Sequence, residues 1–386
     1  MPDDTPLSDK ALPPAPVSVA WSRGDLESPL LSATLAPSPD NNQPWLFEAS
    51  TDGTLTLYHD LSRALPSDVD FMFSMIALGA ALENLCLAAR QKGWQPFVEY
   101  VPQGDSIRGP AEGSGTSAGK EAVATIRFAA GGVPDPLYAF VAERVTCRKA
   151  YARQPVAENA LRQIEEAASG HPETTLHWLN DREAIGRLAW LVAATDRIRF
   201  EYQPFHEELY RQLRFSPQEA ESTRDGLDVR TLEVPSSAVW LLRRLRPWRR
   251  MRLLNRLGLS KLMSVTSALL VKNSGTVGLL TTGVTTRRGY LDAGRAFQRV
   301  WITATRLGLA LHPLGSLPIF LSRLTRQNGE GLTTGHRAVL EQVQPAFLQI
   351  FPRAAGRGLV LLFRLGEASR PAVCSLRRPV QAVFLP

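Results

Sequence analysis

The chain has 386 residues, of which 44% are hydrophobic and 21% are charged, and its formal net charge is +7. This composition is typical of a globular protein and argues against a disordered, collagen-like or membrane-spanning chain. Seven arginines and no acidic residue lie between Arg243 and Arg256. We therefore expect affinity for anions to be concentrated in that segment rather than spread over the surface.

The N-terminus and the cysteines indicate a reducing compartment. Residues 1–25 are rich in proline and polar residues, and the first part carries acids and no apolar stretch, which predicts a flexible arm and not a signal peptide. The three cysteines are far apart, and the histidines show no metal-ligand spacing. These features predict a cytoplasmic protein without a disulfide framework or a metal site.

The hydrophobic pattern predicts two series of elements, separated near Pro136. The first comprises a short helix at 30–35, strands at 45–49 and 54–59, an apolar helix at 71–92, and strands at 96–101 and 122–128 with a Gly/Ser-rich loop at 104–119 between them. The second comprises helices at 138–151, 157–168, 182–215, 295–307 and 339–350, with strands at 175–179 and 358–365. The basic region from Pro217 to Lys272 shows no regular pattern, and Pro247 should break any helix there.

An internal repeat connects the two series. Gly79, Ala81, Glu83, Ala89 and Gly93 recur at one constant sequence offset as Gly294, Ala296, Gln298, Ala304 and Gly308. Chance could produce such a match, because alanine and glycine are common. The identical spacing favours a duplication, with two similar halves at 26–135 and 136–386 arranged as a pseudo-twofold pair.

Four segments carry candidate functional residues. The segment APSPDNNQPW, residues 36–45, predicts a rigid polar loop that could grip a ligand or simply connect a helix to a strand. The motif Arg144-Val-Thr146-Cys-Arg148 suits a phosphate, although alone it also fits a solvated helix face. Residues 308–315 include a single histidine, His312, which is more often structural, and Arg377-Arg378-Pro379 alone would read as a solvated basic tail.

Together these segments resemble the nitroreductase superfamily of flavoproteins. Its loop reads APSxxNxQPW, and its RxSxR motif is matched here with Thr146 in place of serine. The resemblance implies an α+β fold: a mixed, mainly antiparallel sheet flanked by helices, with two fused halves resembling a nitroreductase homodimer. It also implies FMN as cofactor, with NADH or NADPH as an electron donor.

The resemblance assigns roles to eleven residues, none of them an acid, a base, a nucleophile or a metal ligand. Ser38 and Asn41 would contact the flavin and its ribityl chain, and Gln43 would shape the loop. The phosphate would be bound by Arg144, Thr146, Arg377 and secondarily Arg378. Arg148 would lie near N1 and O2 of the ring, and the backbone beside N5 would come from Pro313, Leu314 and Gly315. Only one complete set of motifs is present, which resembles the internally duplicated Acg-like branch and implies one flavin site per chain.

The function implied is an FMN-binding oxidoreductase that transfers hydride through flavin N5 to or from a small molecule, such as a nitroaromatic, a quinone or an oxidisable metabolite. A non-catalytic protein that stores FMN and a partner-dependent dehydrogenase acting on a carrier-bound or peptide substrate remain alternatives. The assembly would be a pseudo-dimeric monomer or a homodimer.

Residues 216–272 are the main departure from the family pattern. We interpret them as a lid-like insertion whose arginines meet an anionic substrate or a protein partner while its Trp and Leu residues pack on the core. Contact of residues 240–256 with a membrane surface, without stable insertion, is a second interpretation. Nucleic acid is not expected, because no recognisable binding module accompanies the arginines.

Overall fold

The computed structural model describes residues 19–101 and 119–386. Most of the predicted N-terminal arm and nearly all of the Gly/Ser-rich loop lie outside these described residues. The α-helices in the described part of the chain are α1 Glu27–Thr34, α2 Met72–Gln91, α3 Glu158–Ala167, α4 Arg182–Glu201, α5 Gln203–Gln212, α6 Pro217–Thr223, α7 Ser236–Leu245, α8 Trp248–Asn255, α9 Leu259–Lys272, α10 Arg287–Arg306, α11 Ser316–Arg326 and α12 Thr334–Ile350.

The strands form two four-stranded antiparallel sheets and one short parallel pair. The strands are β1 Trp45–Ala49, β2 Leu55–Asp60, β3 Trp94–Tyr100, β4 Lys120–Ala130, β5 Thr174–Leu179, β6 Leu213–Arg214, β7 Leu227–Asp228, β8 Thr276–Thr282, β9 Ala310–Leu314 and β10 Gly358–Gly366. This confirms the prediction of an α+β chain with mainly antiparallel sheets.

The two sheets have the same topology. The first has the order β1-β2-β4-β3 and the second has the order β5-β8-β10-β9. In chain order, one long helix lies between the second and third strands of each sheet: α2 lies between β2 and β3, and α10 lies between β8 and β9. The β1–β2 hairpin forms at the predicted turn, where Gly53 adopts φ +82° and the Asp52 carboxylate accepts a hydrogen bond from the Thr54 amide.

Helices α2 and α10 pack against each other at the centre of the molecule. A Cβ atom on Gly79 would lie 1.9 Å from the Leu291 carbonyl oxygen, and one on Gly294 would lie 2.2 Å from the Ile76 carbonyl oxygen. The sequence offset from Ile76 to Leu291 is the same as the repeat offset from Gly79 to Gly294. The contact is therefore reciprocal, as a twofold relationship between the two helices requires.

Helix α2 is apolar along almost its whole length. The segment Val69–Gln91 is, among the described residues, the one helical stretch long and apolar enough to cross a membrane, and 94% of its most apolar window is buried inside the molecule. Its apolar surface is thus covered by the chain's own core.

Polar contacts also connect α2 with α10, and the C-terminus pairs with the first sheet. The Gln298 amide donates to Asn84 Oδ1 at 2.7 Å, and the buried Glu83 carboxylate forms ion pairs with Arg295 and Arg299, each at 2.9 Å. At the C-terminus, the Leu385 amide donates to the Phe47 carbonyl oxygen at 2.7 Å, so the end of the chain pairs with β1 of the first sheet.

Three of the predicted elements were wrong. Residues 138–151 form a 3₁₀ turn at Pro136–Phe140 followed by irregular chain, because Thr146 bridges to Leu311 of β9 instead of continuing a helix. The predicted helix 182–215 is divided at Tyr202, because a new helix begins at Gln203 with Pro204 in its first turn. The segment Pro217–Lys272 is not irregular but contains the four helices α6 to α9, with the expected break at Pro247.

Candidate functional site

A cavity of about 720 Å³ lies between the central helices, the 36–44 loop, the junction of β9 with α11, and the 216–272 segment. Nine of the eleven residues predicted for the site contribute to its wall. They are Ser38, Asn41, Arg144, Thr146, Arg148, Pro313, Leu314, Gly315 and Arg377.

The 36–44 loop has an unusual backbone. Asp40, Asn41 and Gln43 all have positive φ angles, at 47°, 57° and 52°. Non-glycine residues adopt this left-handed region at an energetic cost, and such residues cluster at binding sites. The loop is held by internal contacts, including a hydrogen bond of 3.0 Å from the Gln43 amide to Ser38 Oγ.

Gln43, expected to shape the loop, and Arg378, expected as a secondary phosphate ligand, do not line the cavity. Gln43 is fully buried behind the loop, where its Nε2 donates to the Arg224 carbonyl oxygen and its Oε1 accepts from the Arg378 amide, both at 2.8 Å. The Arg378 guanidinium donates to the Ala382 carbonyl oxygen at 2.6 Å. Both residues instead fix the loop against the 216–272 segment and the C-terminus.

Asn41 lies at the cavity wall, but its amide is used within the protein. Its Nδ2 donates to the carbonyl oxygens of Gly226 and Leu376, at 3.1 and 3.0 Å, and its Oδ1 accepts from Arg377 at 2.9 Å. Asn41 therefore brings the start of the 216–272 segment and the C-terminal basic motif to the same point.

Arg144, which is buried, and Arg377, which is partly buried, line the same cavity without a carboxylate partner among the described residues. Arg144 donates to the Leu35 carbonyl oxygen at 2.8 Å and lies over the Trp301 ring at 4.4 Å. No ion pair of the described residues includes Arg144 or Arg377, and the Nε of each has no hydrogen-bond partner there. Burial, and then the charge of Arg377, lower the pKa of Arg144 to about 9, and burial lowers the pKa of Arg377 to about 10. Two like charges in this position favour a bound anion.

Arg148 connects the cavity to the 216–272 segment. Its guanidinium donates to the Thr231 carbonyl oxygen, and its backbone amide donates to the Glu233 carboxylate, both at 3.0 Å. Burial lowers the pKa of Arg148, although the carboxylates of Asp40 and Glu233 act in the opposite direction.

Arg364 organises the site and was not predicted from the sequence. It is fully buried in β10, and its guanidinium donates to the carbonyl oxygens of Lys149 and Cys147 and to His312 Nδ1, the last at 3.0 Å. Burial and the nearby cations Arg364 and Arg148 hold the pKa of His312 well below its usual range. Since Nδ1 accepts this hydrogen bond, neutral His312 carries its proton on Nε2. An arginine inside the apolar stretch LVLLFRL was the available sequence signal.

The N-terminus of α11 forms another part of the wall. Gly315 and Ser316 line the cavity, and no side chain caps the helix. The first amides of a helix carry a partial positive charge, so this end adds to the positive potential of the arginines.

The 216–272 segment supplies an uncharged wall. Its lining residues are Leu227, Thr231, Leu232, Val234, Ala238, Leu241, Leu242, Leu259, Leu262, Met263, Thr266, Ser267 and Leu270. The seven arginines between 243 and 256 are all exposed, and none lines the cavity. They therefore face solvent, and this arrangement does not support the expectation that they meet a substrate in the cavity.

A second polar cluster lies on the α4–α5 side of the cavity. Arg199 pairs with Asp40 at 3.1 Å, and the Glu208 carboxylate accepts from the Ser67 hydroxyl and amide at 2.5 and 2.7 Å. Burial raises the pKa of Glu208. No group of three His, Cys, Asp or Glu residues suited to a metal ion occurs within residues 19–101 and 119–386.

Comparisons with known proteins give one sequence relative and several structural ones. No family model matches the sequence. The uncharacterized protein MT1398 of Mycobacterium tuberculosis is 30% identical over 358 residues, which is 91% of this chain. The chain spans 47% of the length of that relative.

Several solved structures are similar to parts of the chain. They include a nitroreductase in complex with FMN from Desulfovibrio desulfuricans (13% identity, 66% of this chain and 98% of that one, TM-score 0.34), the FMN-dependent nitroreductase NfnB from Mycobacterium smegmatis in complex with NADPH (17%, 64% and 91%, 0.31), and a BluB-like flavoprotein from Clostridium difficile (11%, 64% and 97%, 0.36). Nitroreductases are also the superfamily that the sequence motifs resemble. Because these TM-scores are below 0.5, no residue role is transferred from these structures.

Proposed function

We propose that this chain binds FMN in the cavity and is a flavin oxidoreductase of the nitroreductase superfamily. The observation that carries the proposal is the pair Arg144 and Arg377, which line one cavity and take part in no ion pair of the described residues. A phosphate monoester carries close to two negative charges near neutral pH and would neutralise both guanidiniums. The chemistry of the donors thus fits a flavin mononucleotide.

Different residues of the chain would bind different parts of FMN. Arg144, Arg377 and the Thr146 hydroxyl would bind the phosphate, and the free hydroxyl hydrogen of Ser38 would serve the ribityl chain. Arg148 and the N-terminus of α11 would lie along the ring, with Pro313 to Gly315 presenting backbone to its edge. When bound, FMN supplies the hydride and electron transfer chemistry.

The protein contributes electrostatics and exclusion of water. The positive charge of Arg148, together with the helix terminus, favours a ring system that becomes anionic on reduction. The apolar wall formed by Leu241, Leu242 and Met263 limits the access of water. Neutral His312 offers an N–H donor and no acid function, which agrees with chemistry that requires no general acid or base.

We also propose a single site per chain, formed by both halves, with the two halves arising from a duplication. The support is the shared strand order and the reciprocal helix contact. The chain would then act as a pseudo-dimer, alone or in a homodimer. A cytoplasmic location, NADH or NADPH as donor, and the nitroaromatic, quinone or metabolite substrates are parts of the same proposal.

A non-catalytic role in storing FMN is a second candidate. It is favoured by the wall that residues 231–270 contribute to the cavity, which would hinder the approach of a nicotinamide if it covers the ring. A partner-dependent dehydrogenase is the third candidate, with the exposed arginines as its docking surface.

Purification and flavin analysis test the proposal. We expect a yellow protein that releases FMN, or an apoprotein that binds added FMN and not riboflavin with high affinity. Reduction by NADH or NADPH, followed by turnover with a nitroaromatic or a quinone, separates the oxidoreductase from the storage protein. A folded chain that binds no FMN would contradict both.

A further inference from the structure

The helices α7 to α9 carry an exceptional charge. Residues 236–272 contain seven arginines, two lysines and no acidic residue. The net charge of the whole chain is +7, so the rest of the chain is slightly acidic. The net positive charge of this protein is therefore carried by one segment, and the proposed function uses this segment only in part.

These arginines have no acidic partners. None of Arg243, Arg244, Arg246, Arg249, Arg250, Arg252 or Arg256 takes part in an ion pair of the described residues. Exposed arginines elsewhere in the chain do pair along their helices, as Arg162 does with Glu158 and Arg187 with Glu183. Arg243 and Arg250 donate to the carbonyl oxygens of Phe215 and Arg244, but no carboxylate of the described residues neutralises any of the seven charges, which favours an external anion.

Large apolar side chains are exposed among the arginines. Their relative exposures are 60% for Trp240, 60% for Leu253, 84% for Leu257, 67% for Leu262 and 51% for Leu269. These five are half of the ten large apolar side chains recorded as exposed in the described residues. The Arg244 guanidinium lies 5.3 Å from the centre of the Trp240 ring, so charge and apolar surface are in contact. We call residues 236–272 the Arg/Leu surface.

We propose that the Arg/Leu surface binds the face of an anionic lipid bilayer. Arginines complement phosphate headgroups, whereas leucine and tryptophan enter the boundary between headgroups and acyl chains. A nucleic acid would use the arginines but leave the exposed leucines in water. A bilayer surface is the partner that satisfies both parts of the pattern.

Part of the cavity wall belongs to the Arg/Leu surface. Val234 and Leu262 line the cavity and are also exposed, by 41% and 67%, so they lie at its mouth. Leu262 belongs to the Arg/Leu surface itself. A chain docked through this surface would present an apolar opening to the lipid, and apolar molecules dissolved there could enter. The bilayer contact itself does not rest on the proposed flavin function.

Vesicle flotation tests the proposal with the full chain. We expect binding to vesicles of phosphatidylcholine mixed with phosphatidylglycerol and little binding to pure phosphatidylcholine. The triple variant Arg249→Glu/Arg250→Glu/Arg252→Glu should bind the anionic vesicles about a hundredfold more weakly. Each basic residue near an anionic bilayer increases the affinity for it by up to about tenfold. The pair Leu253→Ser/Leu257→Ser should also weaken binding.

Matched variants control for charge and exposure. Arg162→Glu/Arg187→Glu/Arg353→Glu changes the net charge equally at other exposed positions, and Leu31→Ser removes an exposed leucine elsewhere. Both should bind vesicles as the wild type does. Equal losses in the control and the test triple would overturn the proposal, as would arginine-dependent binding of an oligonucleotide without binding of anionic vesicles. Near-native circular dichroism of every variant is required for the comparison.

Discussion

The Tyr100 hydroxyl donates a hydrogen bond of 2.9 Å to the Asp292 carboxylate, and His171 Nδ1 lies 2.9 Å from the same oxygen. The constant offset of the internal repeat relates Tyr100 to Gly315 and Asp292 to Ala77. Gly315 and Ala77 are small residues in the wall of the cavity. At the positions that the repeat offset relates to these two small residues, a tyrosine and an aspartate bind each other.

This contact predicts one flavin per chain. A flavin at the corresponding place would have to displace the partly buried Tyr100 and break the Tyr100–Asp292 hydrogen bond. Released FMN measured against protein concentration should give a ratio close to one after saturation. A ratio near two would contradict the asymmetry of the two halves.

The crossing of α2 and α10 makes a second prediction. Gly79→Ala and Gly294→Ala should each lower the free energy of unfolding by several kcal/mol, on the order of 2–4, because the new methyl group would overlap backbone atoms of the partner helix. Urea unfolding measures the change.

Gly186→Ala in α4 is the matched control. A Cβ there has no neighbouring atom within 4 Å. The substitution should stabilise the chain by about 0.5–1 kcal/mol, since alanine favours a helix interior over glycine. Equal changes in the free energy of unfolding for Gly79→Ala, Gly294→Ala and Gly186→Ala would contradict the close contact of α2 with α10.

The sequence allowed most of the first half to be predicted. The hairpin, α2 and the strands near 96–101 and 122–128 follow from local patterns that the tertiary structure preserves. The 138–151 segment failed because Thr146 pairs with Leu311 of β9, a contact between distant parts of the chain that no local pattern reveals. The helices of 217–272 were not predicted because α6, α7 and α8 have only 7, 10 and 8 residues, and Pro235, Pro247 and Gly258 separate the last three helices.

The site could be predicted only in part. The motifs located nine residues of the cavity wall, since each motif is a short continuous string. Asn41 and Gln43 were interpreted as part of a ligand loop, yet their amides hold distant segments together, and this depends on which segment lies behind the loop. The apolar stretch LVLLFRL marks Arg364 as unusual, but its role could not be predicted, because it is defined by carbonyl oxygens that come from elsewhere in the chain.

The two arginines of the RVTCR motif should have different effects. Arg144→Ala should weaken FMN binding about ten- to a hundredfold, as expected for loss of about 1.5–3 kcal/mol from a charged hydrogen bond to phosphate. Arg148→Ala should retain more FMN and lower the reduction potential, because a cation beside the reduced anionic ring is lost. Flavin fluorescence titration and redox titration separate the two effects.

Arg144→Lys is the control for charge. It keeps one positive charge but loses the forked geometry, so its affinity should lie between those of wild type and Arg144→Ala. Riboflavin, which lacks the phosphate, should bind wild type and Arg144→Ala alike. Equal retention of FMN by wild type and Arg144→Ala would show that this arginine does not hold the phosphate.

His59 should make the fold sensitive to acid. It is fully buried on the edge of Phe71, and burial, together with the charge of Arg287, lowers its pKa from 6.5 to about 3. Between these values the unfolded chain binds a proton that the folded chain does not, so stability falls as the pH falls. From pH 7 to pH 5 this histidine should cost about 2 kcal/mol. Urea unfolding should show that His59→Leu loses about 2 kcal/mol less stability than wild type between pH 7 and pH 5. The same pH dependence in the variant and in wild type would rule out His59 as the cause.

The last prediction concerns α7 and α8 as a cover over the cavity. Residues 223–233 should be kept, because Gln43, Asn41 and Arg148 bind them, and α9 should be kept because Ala268 and Val271 belong to the core. Replacing residues 236–256 by a Gly/Ser linker removes Ala238, Leu241 and Leu242 from the wall. We expect faster reduction of the bound flavin by dithionite, NADPH and small quinols, with FMN affinity little changed, because the phosphate-binding arginines stay in place.

Arg249→Ala, which changes only an outward side chain, should leave the reduction rates as they are in wild type. Unchanged reduction rates in a folded deletion variant would mean that these helices pack beside the site without covering it.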